Sequence, residues 1–117
     1  MKISDDNYLR LSGRNLTVPF SIEIETGGRM DELVCTGILR LLPGKRLVCS
    51  GKWNGLNVVV KFFLDSTDGK RHFAREERGI KALESSGIIT PKLLFSGASV
   101  SGGIPLLGFE KIVGSED

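Results

Sequence analysis

Between residues 16 and 64 apolar and polar positions alternate in short runs broken by glycine, proline and asparagine, the pattern of strands joined by tight turns. Leu16 to Ile24 alternates well enough for a strand, and Pro19 places it near a sheet edge. Thr26-Gly27-Gly28-Arg29 closes it with a turn. Leu33 to Leu42 reads as a second strand, stopped by Pro43-Gly44-Lys45; Arg46 to Trp53 is a third and Leu56 to Leu64 a fourth. Between the last two sits Asn54-Gly55, whose residues accept the left-handed backbone that a two-residue hairpin requires. Residues 33–64 are therefore expected to form a three-stranded antiparallel meander.

The Asn54-Gly55 turn fixes a register if Trp53 and Leu56 flank it, placing Lys61 across from Val48 and Val59 across from Ser50. Opposed residues point the same way. One face then carries Arg46, Val48, Val59, Lys61 and Phe63, and the other Leu47, Cys49, Val58, Val60 and Phe62. Both faces are apolar, so both need covering. A helix can cover one, and the N-terminal segment is the expected cover for the other. The same reasoning around Pro43-Gly44 sets Cys35 opposite Lys52, not Cys49, which argues against a cross-strand disulfide.

Lys61 is the one charge in the run L-N-V-V-V-K-F-F-L, and an ammonium among covered apolar residues needs a partner. After Asp65-Ser66-Thr67-Asp68-Gly69, which offers helix-capping residues, Lys70 to Ser85 reads as a helix ended by Ser86-Gly87. Its apolar stripe is Phe73, Ile80 and Leu83; Glu76 falls inside that stripe and Glu77 nearer its margin. Glu76 is thus the first candidate for Lys61 and Glu77 the second. The competing reading pairs Glu76 along the helix with residues such as Lys81 and lets Lys61 extend to the sheet edge. Beyond the Gly87-to-Pro91 loop, Lys92 to Phe95 reads as a short strand, Ser96 to Gly103 as a turn region and Ile104 to Val113 as a last strand.

The length of 117 residues, 40% hydrophobic and 26% charged, fits one small globular core. A net charge of +2, with signs interspersed along the chain, gives no basic block for nucleic acid or a membrane surface. No apolar run is long enough for a transmembrane segment, and the polar start is unlike a signal peptide; a cytoplasmic protein is expected. Cys35 and Cys49 lack metal-ligand spacing, and the single histidine, His72, leaves a zinc site or a serine–histidine triad little to be built from. Both cysteines read as small apolar strand residues and His72 as a surface helix residue, with no metal site.

The order of strands, V-V-V-K on the third strand of the meander and its successor, R-E-E-R-G-I on the helix, then G-I-I-T-P-K-L-L and a closing F-E-K-I-V, resembles the small N-terminal lobe of the protein-kinase-like fold. With L-P-G-K-R between the first two lobe strands it looks most like the bacterial lipopolysaccharide (Kdo) kinases and RIO-type atypical kinases. The resemblance implies an α+β fold: a five-stranded antiparallel sheet with one packed helix over residues 31–117, preceded by an extension, residues 1–30, that covers the sheet. It implies ATP as cofactor, with Lys61 on the α and β phosphates and Glu76 as its partner, these two being the catalytic-site residues. Gly44 and Lys45 in the turn, Val48 and Val59 above the adenine, Phe109 as gatekeeper, and Glu110 to Ile112 as the hinge reading the adenine edge would complete the nucleotide site.

Two departures accompany it. The glycine-rich phosphate loop is reduced to Leu42-Pro43-Gly44-Lys45-Arg46, where Lys45 and Arg46 would have to act through side-chain charge. No H-x-D loop and no metal-binding D-F-G follow the hinge, so the chain is expected to be the ATP-binding lobe of a kinase-like phosphotransferase acting on a sugar, lipopolysaccharide or Ser/Thr acceptor. It would be inactive alone, with Mg²⁺ held by a C-terminal lobe in cis. The alternative is a non-catalytic interaction module or pseudokinase-type regulator in which Lys61 and Glu76 are only a structural ion pair.

Overall fold

The structure is a computed structural model that describes residues 2–4, 6–87 and 91–111. The elements in chain order are β1 (Lys2–Ser4), α1 (Asp6–Leu11), a 3₁₀ turn (Gly13–Asn15), β2 (Phe20–Thr26), β3 (Arg29–Leu42), β4 (Arg46–Trp53), β5 (Leu56–Phe63), α2 (Gly69–Ser85), β6 (Leu93–Ser99) and β7 (Pro105–Glu110). The meander β3-β4-β5 forms as expected. Asn54 and Gly55 both take positive φ, 49° and 78°, as a hairpin turn of this type demands. Its register places Arg46 against Phe63, Val48 against Lys61 and Ser50 against Val59.

The expected five-stranded antiparallel sheet with one packed helix is not what forms. The strands run β2-β3-β4-β5-β7-β6, and β6 returns to pair with β2 through Ile24 with Ser99 and Glu25 with Ala98, so six antiparallel strands close into a barrel. The physical reason is the second apolar face. Phe20, Ile22 and Ile24 of β2 alternate with the same period as Leu33 and Cys35, Leu47 and Cys49, and Val58, Val60 and Phe62. Curling the sheet buries that whole row inside, with Phe95, Ile104 and Leu106 completing the core. Phe20–Thr26, within the segment expected to lie over the sheet, forms one of its strands. β1 adds a parallel pairing along Phe20 to Ile22, on the edge of β2 that β6 uses further along.

Closure depends on a glycine. A Cβ on Gly97 would collide with the carbonyl oxygen of Glu25 on the facing strand, so only a residue without a side chain lets β6 approach β2. Residues 96–99, expected as part of a turn, thus belong to β6, and the turn shrinks to the stretch between Ser99 and Ile104. There the Ser99 backbone N–H donates to the Ile104 carbonyl (3.0 Å) and the Ile104 N–H to Ser99 Oγ (2.8 Å).

Cys35 lies opposite Gly51, one position from the expected Lys52: the turn sets Leu42 against Arg46, one position beyond the expected register, and β3 then slips back by one between Ile38 and Arg40 and by one more between Cys35 and Gly37. Both cysteines point into the core as free thiols. The hydrogen-bonding Cys49 thiol, and then burial, hold the Cys35 thiol well above its ordinary pKa. No helix among the described residues is long and apolar enough to cross a membrane.

Candidate functional site

With the inner face sealed, the outer face of β4, β5 and β7 is left to α2 and solvent. Lys61 stands there between Val48 and Leu107. The Lys61 Nζ donates to Glu76 Oε1 at 2.7 Å, and the two side chains keep 24% and 30% of their exposure, so the pair is neither dry nor free in water. Glu77 is 3.8 Å from Lys81 on the same helix, which separates the two glutamates: Glu76 faces the barrel and Glu77 pairs along α2. The second oxygen of Glu76, Oε2, is buried and accepts no hydrogen bond.

The seating of α2 positions Glu76. Its N-terminal turn is held from one residue, Asp65: Oδ1 accepts the N–H groups of Thr67 (2.9 Å) and Asp68 (3.2 Å), while Oδ2 takes the Lys45 ammonium at 3.0 Å. Asp68 stands at the N-cap position but makes no side-chain cap and pairs with Arg71. These contacts, the Thr67 N–H first and Lys45 next, hold the Asp65 carboxyl down at about 2. Gly69 lies against the Phe63 carbonyl, where a Cβ would come within 2.9 Å, and Phe73 meets the Phe63 ring edge-on at a centroid distance of 5.8 Å. Beyond these points the helix sits shallowly: Gly69 is its only buried residue, and Leu83, at the end of the apolar stripe, is 41% exposed.

Arg46, opposite Phe63 on β4, lays its guanidinium over the Phe63 ring, 5.1 Å from the centroid. Between it and α2 lies a cavity of about 420 Å³ lined by Arg46, His72, Arg75 and Glu76. His72 and Arg75 are not among the site residues expected from the sequence. The legible signal was spacing, since His72, Arg75 and Glu76 at i, i+3 and i+4 share one helical face.

The other expected site residues separate into two groups. Val48, Val59 and Phe109 share the outer face with Lys61; Val59 is paired with Phe109, and all three are half-buried. Gly44, with φ 70°, makes the tight turn closed by the Lys45 N–H to the Leu42 carbonyl (2.9 Å), and the Lys45 ammonium is spent on Asp65. Glu110 is the last residue of β7: its N–H donates to the Lys92 carbonyl (2.9 Å) and its Oε1 accepts from the Lys92 N–H (3.2 Å), so its backbone donor is committed to the barrel. The Lys111 N–H likewise donates to the Asn57 carbonyl at 3.2 Å. Ile112 lies outside the described residues, as do residues 88–90. Comparison of the chain with protein-family models, curated proteins and solved structures returned no match.

Proposed function

We propose that the outer face around Lys61 is a nucleotide site, the ATP-binding part of a kinase-like phosphotransferase working in the cytoplasm. The observation that carries this reading is the Lys61–Glu76 contact across β5 and α2 at 2.7 Å. A lysine on a flexible stem meets phosphate well only when a carboxylate fixes its head, and a carboxylate borne on a shallowly seated helix does so conditionally. The flanking surface suits the rest of the ligand. Val48, Val59 and Phe109 offer a half-buried apolar strip for a planar base on the same face as the ammonium. Barrel closure uses only the opposite face and leaves this one open.

Phosphoryl transfer also needs a base and metal ligands, which in this reading a second lobe in cis supplies together with the Mg²⁺ they hold. The acceptor is then chosen by that lobe.

Amide chemical shifts recorded during titration with Mg-ATP test the reading. Shifts centred on Val48, Val59, Lys61 and Phe109, and lost in Lys61→Met, are the expected result. No response at millimolar nucleotide, or a response confined to another face of the barrel, refutes it and leaves Lys61 and Glu76 as a strap between barrel and helix.

A further inference from the structure

We infer that the cavity between β4 and α2 is a binding site for a phosphate-class dianion, and that the bound anion clamps α2 to the barrel. This deepens the nucleotide reading for the same face, although the two fail separately.

The charges around the cavity do not balance. Arg46, His72 and Arg75 line it together with Glu76, which already gives one oxygen to Lys61. Among the described residues no carboxylate pairs with Arg46 or Arg75; the Arg46 guanidinium is instead held flat over Phe63. Two guanidiniums and an imidazole therefore line a space of about 420 Å³ whose one carboxylate, Glu76, is shared with Lys61, which leaves the cavity with a net excess of positive charge. A tetrahedral oxyanion matches this set. Each guanidinium can present two parallel N–H donors to it, and the imidazole one more.

The placement of the donors gives the anion a second effect. Arg46 belongs to the barrel, whereas His72 and Arg75 belong to α2, so one anion bridges the two bodies. That helix has one buried residue and few other anchors, so a bridge of charge-assisted bonds beside Glu76 would fix its position. Lys45, the other cation of the reduced turn, is paired with Asp65 and is not available for this role. The dianion can come from two sources, free phosphate or the terminal phosphate of a nucleotide held by Lys61.

The test is titration of the full chain with inorganic phosphate, tripolyphosphate, AMP and ATP at ionic strength matched with sodium chloride, reading backbone amides and thermal unfolding. Inorganic phosphate is expected to shift the amides of Arg46, His72 and Arg75 and to raise Tm, while chloride does neither. Arg75→Met, a change at an exposed position, should weaken phosphate at least about tenfold; Arg46→Met should do the same. If ATP moves these amides but AMP and free phosphate do not, the anion is a nucleotide's terminal phosphate. Saturation by free phosphate without competition from ATP marks a free-anion site. Indifference of all three residues to phosphate, tripolyphosphate and ATP overturns the inference, as does equal phosphate affinity in Arg75→Met. Nucleotide shifts at Val48 and Val59 with a silent cavity would remove the clamp and keep the nucleotide reading. A responsive cavity with silent Val59 and Phe109 would do the reverse.

Discussion

Lys61→Met and Glu76→Gln, singly and together, measure how strongly the barrel and α2 are coupled. At a separation of 2.7 Å and an effective dielectric constant of about 20, the direct attraction is about 6 kcal/mol. Most of that is cancelled by the cost of drawing two ions partly out of water, and side-chain exposures of 24% and 30% leave enough solvent to screen the remainder. The expected coupling energy is about 1–2 kcal/mol, intermediate between an exposed pair and a dry one. Lys61→Met should be the worse single change, because it leaves Glu76 with both oxygens unmet where Oε2 already lacks a partner. For a chain of 117 residues the unfolding entropy is about 0.25 kcal/mol/K, so each kcal/mol moves Tm by about 4 °C. Thermal unfolding of the four proteins by circular dichroism should then show the double variant less destabilised than the two single changes combined by about 4–8 °C. Strict additivity within about 0.3 kcal/mol would mean that the two groups are independently solvated, and the pairing would carry neither structure nor ligand.

Other perturbations probe the frame around this pair. Gly97→Ala should force β6 away from β2 and cost about 1–3 kcal/mol, read as a fall in denaturant midpoint; an unchanged midpoint would show that closure does not depend on that close approach. Phe62→Ala, at a fully buried barrel position, should cost about 3–5 kcal/mol in the same assay. Asp65 has a folded pKa near 2, below its unfolded value, so its contacts contribute stability that is fully present above about pH 4 and is lost as pH falls toward 2. Asp65→Asn should flatten the pH dependence of Tm across that window and leave the curve above it parallel to the parent's. Cys35 and Cys49 should resist a thiol reagent in the folded protein and react on unfolding, since both are buried and the Cys35 thiol is held in its neutral form.

What could be read from the residues follows from how local each determinant is. Asn54-Gly55 requires a particular backbone within two residues, and every pairing from Arg46 with Phe63 to Trp53 with Leu56 follows from it. The helix and the choice of Glu76 over Glu77 follow from a period of 3.6. Barrel closure is not local. It rests on β2 meeting β6 across more than 70 residues of intervening chain, and the strand that meets it contains Ser96, Gly97 and Ser99, which by propensity belong in turns. Gly97 is a glycine because two backbones touch there, a reason visible only once the partner strand is in place. The two bulges in β3 are hidden in the same way, and each moved the pairing of Cys35 by one position. At the site, Lys61 and Glu76 stand out as charges on apolar stripes, whereas Arg46, His72 and Arg75 look like ordinary surface residues until α2 is laid against β5 and β7.

The shallow seating of α2 also divides the molecule into two units of unequal permanence. Amides of β4 and β5 lie between two neighbouring strands and should exchange with solvent hydrogen only through global unfolding, while those of α2, with one buried residue beneath them, can exchange by lifting of the helix alone. Lys61 and Arg46 are then present at all times, and Glu76, His72 and Arg75 only while the helix is down. Apparent affinity for any ligand of this face scales with the fraction of time the helix spends docked. A substitution that only seats α2 more firmly, far from every ligand atom, would slow exchange in the helix in full proportion, but would tighten binding only by the factor that brings the docked fraction up to one.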